Sequence, residues 1–237
     1  MSLYLKILLC SFCVPFLFSF HSKIQFFKYF KIAFLSISSV SLFFIFWDII
    51  YTDLKVWGFN EKHHSKLLFF KLPLEEILFF FVIPFCCLFT YFVFRKFNFS
   101  IRDRLNNYKI IFSVLLFLLA ILNYSKLYTF SVFMLSAVIF LMERKPSYWW
   151  GTFILTYFII TLIPFLIVNG LLTGFLDFDN PPVWYNPNHM LGFRFFTIPF
   201  EDFFYNFILL YLNFYIFEFY CTKFKMTLVV SPNDKNS

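Results

Sequence analysis

The chain has 237 residues, of which 61% are hydrophobic and only 14% are charged, and its net charge is +7. A soluble domain has about 25% charged residues, so this composition excludes an ordinary soluble protein and indicates an integral membrane protein. The basic residues lie in short segments beside long apolar runs, which is typical of membrane topology. We therefore expect no nucleic-acid partner.

Seven apolar runs predict transmembrane helices, because a helix needs about 20 mostly apolar residues to cross a bilayer. In chain order, the runs lie near 2–20, 30–51, 74–94, 109–124, 127–142, 148–172 and 200–221. The predicted fold is an all-α polytopic membrane protein of about seven transmembrane helices, followed by a polar tail at 223–237.

The distribution of Lys and Arg predicts how the chain is oriented. Most of the 20 basic residues lie on the side of the C-terminus, including a run between Arg95 and Lys109. The positive-inside rule then places the C-terminus in the cytoplasm and the N-terminus outside. The predicted location is the cell membrane, with several passes through it.

An internal repeat is the most informative feature of the sequence. Residues 69–76 have the sequence FFKLPLEE, and residues 195–202 have the similar sequence FFTIPFED. Since four predicted spans separate the two copies, both copies lie on the same membrane side. This arrangement predicts two parallel three-helix repeats, at 1–95 and 126–222, joined by a connecting helix at 96–125.

Each copy of the repeat places two acids at the start of an apolar helix: Glu75 and Glu76 in the first, and Glu201 and Asp202 in the second. Acids in a first helical turn also interact favourably with the helix dipole, so one such pair alone is explained by helix formation. Acids near the membrane interior are costly, however, and their recurrence favours a catalytic role. We predict that these four carboxyl groups carry acid–base catalysis, without assigning donor and base.

Several motifs resemble those of a known family. They are PLEE at 73–76 with Phe79 and Phe80, VWYN at 183–186, LGFR at 191–194 and TIPFEDFF at 197–204. VNGLLT at 168–173 and the pair Trp47 and Asp48 extend the similarity. Over roughly residues 2–221, the chain resembles the membrane-embedded lycopene cyclase domain, which occurs as paired subunits in some bacteria and fused to phytoene synthase in fungi.

The resemblance implies that the acyclic ends of lycopene are cyclised to β-rings, through γ-carotene to β-carotene. It leaves open whether one ring or two are made, and whether the rings are of the β or ε type. The partners implied are lycopene within the membrane and possible other enzymes of the carotenoid pathway. We expect these residues to contact substrate: Trp47, Asp48, Trp57, Phe79, Phe80, Trp184, Tyr185, Asn186, Arg194 and Tyr205.

Cyclisation of this kind involves no net redox change, and we expect no cofactor and no metal. The chain contains no G-x-G-x-x-G motif for a dinucleotide and only four histidines. Stimulation by a reduced flavin stays open. The alternative is a small membrane transporter or a lipophile-binding carrier with internal repeats. Transporter sites usually lie at broken helices near the membrane midplane, whereas these acids lie at helix ends.

Overall fold

The computed structural model describes residues 2–101, 106–143, 149–226 and 228. Seven helical segments make up most of this part of the chain, and they coincide with the seven apolar runs of the sequence. They are α1 (Leu3–Phe18), α2 (Phe30–Asp53), α3 (Leu74–Lys96), α4 (Asn106–Leu122), α5 (Leu127–Met142), α6 (Trp150–Ile160) continued through a π turn (Thr161–Phe165) into α7 (Leu166–Leu172), and α8 (Phe200–Lys223). Most of the predicted polar tail lies outside the described residues.

The lengths and compositions of the helices are those of a membrane protein. Three segments are long and apolar enough to cross a membrane: Phe26–Asp53, Leu74–Lys96 and Trp150–Leu172. Helices α1, α4 and α5 are apolar but shorter. Helix α8 has the length, but the buried side chains of Asn206, Asn213 and Glu218 reduce its apolar character. Seven spans and the orientation of the termini stay predictions.

Both copies of the repeated motif fold into the same local structure. A short hairpin precedes each long helix, with β2 (Leu68–Phe69) paired to β3 (Leu72–Pro73), and β5 (Arg194–Phe195) paired to β6 (Ile198–Pro199). Each hairpin ends in an extended proline, and α3 or α8 begins at the next residue. The first amide of each helix, Leu74 or Phe200, donates to a carbonyl seven residues earlier at 3.0 Å.

The two halves of the chain pack in an equivalent way. Helix α1 packs on α3, and α5 packs on α8, while α2 and α6 each contact both α3 and α8. Strand β1 (Trp57–Phe59) pairs antiparallel with β4 (Val183–Tyr185), with Gly58 opposite Trp184. A Cβ on Gly58 would lie 2.3 Å from the Trp184 ring, so this contact requires glycine. The pairing joins the loops that precede the two carboxylate motifs.

Prolines interrupt α1, α3 and the segment formed by α6 and α7, but not the other helices described. Pro15 lies within α1, Pro84 within α3 and Pro164 within the π turn between α6 and α7. The described parts of α2, α4, α5 and α8 contain no proline. A proline lacks the N–H that bonds to the carbonyl four residues earlier, so each one releases a buried carbonyl group.

Side chains from neighbouring helices bond to two of these released carbonyl groups. The Ser41 hydroxyl of α2 donates to the Phe80 carbonyl at 2.5 Å, four residues before Pro84. The Cys86 thiol of α3 donates to the Ser11 carbonyl at 3.3 Å, four residues before Pro15. The interrupted helices are thus stabilised by contacts between helices.

Candidate active site

A cavity of about 250 Å³ lies among α1, α3, α6, α7 and α8. Residues of β1 and β4 line the end at which α3 and α8 begin. Three carboxyl groups also line the cavity, those of Asp48, Glu76 and Asp202. All three are buried, with exposed fractions of 2%, 8% and 4%. Acidic residues are almost never buried this deeply without a specific partner, so their surroundings indicate their chemistry.

Glu76 and Asp202 occupy equivalent positions in the two repeats, but they differ in hydrogen bonding. Glu76 accepts a hydrogen bond from the Tyr4 hydroxyl of α1, its single side-chain partner among the described residues. Asp202 accepts from the Tyr128 hydroxyl at 2.6 Å, the Asn169 amide at 2.7 Å and the Tyr185 hydroxyl at 2.9 Å. Donors to a carboxylate favour its charged form, so the surroundings stabilise the anion more strongly at Asp202 than at Glu76.

Tyr185 lies in the loop strand β4, outside the helices. Burial, together with the nearby Asp202 carboxylate, raises the pKa of the Tyr185 hydroxyl well above its usual range. Tyr185 therefore keeps its proton and remains a hydrogen-bond donor to Asp202. The Arg194 guanidinium lies 5.6 Å from the centre of the Tyr185 ring and donates to the Thr197 carbonyl at 2.6 Å. Arg194 thus supports the cavity wall from behind without lining the cavity.

Asp48 brings a third carboxyl group to the cavity from α2. One of its oxygens accepts a hydrogen bond from the Trp57 indole of β1. The other oxygen is buried and has no hydrogen-bond partner among the described residues. A buried acceptor without a hydrogen-bond donor destabilises the protein. This oxygen would therefore gain from a contact with a ligand or with a developing positive charge.

The other two predicted acids face the preceding loops and do not line the cavity. Glu75 accepts from the Ser2 hydroxyl at 2.7 Å, and from the amide and hydroxyl of Ser65 at 2.6 and 3.0 Å. Glu201 accepts from the Thr129 hydroxyl and the Leu191 amide, both at 2.6 Å. In both repeats the amide that donates lies ten residues before the acid, so Glu75 and Glu201 hold equivalent loops against the helix starts.

Aromatic rings cover the carboxylate end of the cavity. The Trp57 ring centre lies 5.1 Å from that of Tyr128, 6.0 Å from that of Tyr205 and 6.3 Å from that of Tyr185. All four residues line the cavity, as does Phe79. Such a cluster excludes water and presents ring faces or edges on several sides of the enclosed space.

Four other residues predicted to contact substrate lie outside the cavity lining. Trp47 of α2 and Phe80 of α3 are buried in the core, where each contacts Phe44 of α2. Trp184 is 41% exposed and lies across Gly58. Asn186 donates to the Lys55 carbonyl at 3.1 Å. These four residues support the site's frame, and they do not line the space where a ligand would bind.

Sequence reasoning missed two tyrosines of the site, Tyr4 and Tyr128. Both lie in the first turn of an apolar helix, α1 or α5, and each donates to the carboxyl of its own repeat. The sequence signal was available, because each tyrosine lies near the start of the first helix of its repeat. Asn169 lies in a motif noted in the sequence, but its bond to Asp202 was not predicted.

A membrane protein whose buried carboxyl groups face a mostly apolar cavity is suited to acid–base chemistry on a lipophilic molecule. The comparison with protein families shows the family to which the chain belongs. The family model described as lycopene cyclase matches residues 1–94 and 125–220. The chain belongs to the lycopene cyclase family, which implies an enzyme with lycopene as its substrate. Comparison with curated proteins gives no match, and comparison with solved structures gives none either.

Proposed function

We propose that this protein is a lycopene β-cyclase that closes the acyclic ends of lycopene by acid–base catalysis without a metal. The observation that carries the proposal is that Glu76 and Asp202, one from each repeat, face one cavity with unequal numbers of hydrogen-bond donors. We also propose that the enzyme is a multi-pass protein of the cell membrane, with its N-terminus outside.

Glu76 is the proposed proton donor. A donor must hold a proton before substrate binds, and the Glu76 carboxyl group is buried with one hydrogen-bond donor to stabilise its anion. Tyr4 occupies Oε2, which leaves Oε1 to carry the proton. Transfer of that proton to the terminal double bond forms a C–H bond and leaves a carbocation. The next double bond then attacks this cation and closes the six-membered ring.

Asp202 is the proposed base. Its three hydrogen-bond donors favour the carboxylate, which is the form that can remove a proton. A ring carbocation is a strong acid, so a well-stabilised carboxylate is basic enough to deprotonate it. Loss of the ring proton to Asp202 forms the new double bond. The product is an isomer of the substrate, and transfer of the proton from Asp202 back to Glu76 resets the site.

The remaining cavity groups stabilise the cation. Ring faces of Trp57, Tyr128 and Tyr205 contribute up to about 2 kcal/mol each when desolvated. The Asp48 carboxyl group also lines the cavity, and its oxygen without a hydrogen-bond partner offers lone pairs to the cation. The aromatic cluster keeps water away from the cation, which prevents hydration from competing with ring closure.

The test is expression of the chain in a bacterium that accumulates lycopene, followed by chromatography of the pigments. We expect cyclic carotenoid from the parental chain. Glu76→Gln keeps the shape of the side chain but cannot deliver the proton, so conversion should fall by ~10²–10⁴-fold.

The matched control is Glu75→Gln, one residue away on the same helix, because Glu75 bonds to the loop and does not line the cavity. It should keep most of the activity when protein levels are equal. A parental chain that accumulates in the membrane and leaves lycopene unchanged would refute the proposed function. Full activity of Glu76→Gln would refute the assignment of the donor.

A further inference from the structure

The cavity extends far beyond the carboxyl groups. On α3 its lining runs from Glu76 to Thr90, a distance of about 21 Å at the 1.5 Å rise per residue of an α-helix. On the opposite wall it runs from Leu172 at the end of α7 back to Ile160 at the end of α6. A cavity of about 250 Å³ that extends over this length is narrow. We call the part of the cavity beyond Ile83 the slot.

Two prolines border the slot and explain why the helices part there. Pro15 of α1 and Pro164 of the π turn both line it. A π turn pairs residues five apart, which bypasses the bond that Pro164 cannot make and widens the helix locally. Pro164 is also exposed, although it lines the cavity. The slot therefore opens sideways beside Pro164, on a helix long and apolar enough to cross the membrane.

The polar groups at the far end of the slot are already satisfied within the protein. The Ser11 hydroxyl donates to the Ile7 carbonyl at 2.9 Å, and the Thr90 hydroxyl donates to the Cys86 carbonyl at 3.1 Å. The Cys86 thiol donates to the Ser11 carbonyl. Groups occupied in this way make no demand on a ligand, so the slot suits a hydrocarbon better than a polar molecule.

We propose that the slot binds the polyene chain of the substrate in an extended conformation. The reacting end lies at Glu76 and Asp202, the chain runs along α3 past Ile83 and Cys86 toward Thr90, and the rest of the molecule leaves through the opening beside Pro164. This inference rests on the proposed function and adds to it the path of the substrate. The whole cavity, at about 250 Å³, is too small for a complete C40 molecule, since pockets for even drug-sized ligands have volumes of ~300–1,000 Å³.

Ile83 and its counterpart in the second repeat, Leu209, line the cavity where the slot begins. The experiment blocks this point in the inactive Glu76→Gln protein, so that binding is measured without turnover. Glu76→Gln, Glu76→Gln/Ile83→Trp and Glu76→Gln/Ile167→Trp are purified from lycopene-accumulating cells, and retained lycopene per protein is measured by absorbance. Ile167 is the matched control, because it is 57% exposed on α7 and does not line the cavity.

We expect the Ile83→Trp protein to retain about tenfold less lycopene than the Ile167→Trp protein, because the inserted ring fills the space of the chain. If the Ile83→Trp protein fails to accumulate, Thr90→Phe at the far end of the slot is measured in its place, with the same expectation. Equal retention by the blocked and control proteins would overturn the path along α3. That result would leave the proposed function standing as long as the parental chain still cyclises lycopene.

Discussion

The helix pair α3 with α6–α7 and the helix pair α8 with α2 are equivalent, since each joins a helix of one repeat to a helix of the other, and in the described part of the chain the cavity lies beside the first pair. Prolines interrupt α3 and the π turn of the first pair, whereas α2 and α8 run without a proline. In the second pair, Phe44 of α2 is fully buried and contacts Tyr205 of α8, and it also contacts Phe80 of α3. One copy of the repeated arrangement therefore borders the cavity, and the other is closely packed.

This difference explains why both repeats contribute to a single site. The carboxyl groups lie at the equivalent starts of α3 and α8, where the strand pair β1–β4 brings the two halves together. The cavity behind them follows α3 from Glu76 to Thr90 and α8 from Asp202 to Leu209, and both Glu76 and Asp202 line it. A duplicated frame thus supplies two different carboxyl groups, which matches the needs of a reaction with a proton donor and a base.

The largest effect on stability is expected on the packed side. Phe44→Ala removes a fully buried ring and should lower the free energy of unfolding by ~3 kcal/mol, measured by thermal unfolding in detergent. Phe79→Ala, on the wall of the cavity, leaves a space that is already partly open and should cost clearly less stability while reducing turnover. A larger loss of stability at Phe79 than at Phe44 would contradict the distinction between an open and a packed side.

A smaller effect, on the rate of turnover, is expected when one hydrogen-bond donor to Asp202 is removed. Tyr185→Phe removes one of its three hydrogen-bond donors while keeping the ring, and hydrogen bonds to charged groups contribute about 1.5–3 kcal/mol. Turnover of lycopene by purified protein in lipid should fall about tenfold, and the free energy of unfolding should fall by no more than this one hydrogen bond contributes. Tyr215→Phe on the exposed face of α8 is the control. Equal rates for the two variants would show that Tyr185 does not support the base.

Much of the fold was predictable from the sequence. Long apolar runs fixed the positions of all seven helical segments, and the repeated FFxxPxEE-like motif located the two equivalent hairpins and helix starts. Which acid of each adjacent pair faces the cavity was not predictable from the sequence. Neighbouring residues point about 100° apart around a helix, so only the packing of α1 and α5 decides that Glu76 and Asp202 face the cavity while Glu75 and Glu201 face the loops.

The cavity itself was also beyond sequence reasoning, although a signal existed. Pro15 and Pro164 stand inside apolar runs, where a proline costs a helix one hydrogen bond. A widened turn is a common consequence, but the sequence does not show that both prolines border the same space. That requires the tertiary contacts of α3 with α1 and with α6.

The central claim is that the two repeats share one catalytic site, and one measurement tests it most directly. The initial rate of lycopene cyclisation is measured for Glu76→Gln and for Asp202→Asn, each purified in lipid at matched protein levels. A shared site predicts that each single change lowers the rate by ~10²-fold or more, because donor and base act on the same substrate end. Two independent sites, one in each repeat, predict that each variant keeps about half of the parental rate. Retention of that much activity by either variant would contradict the account.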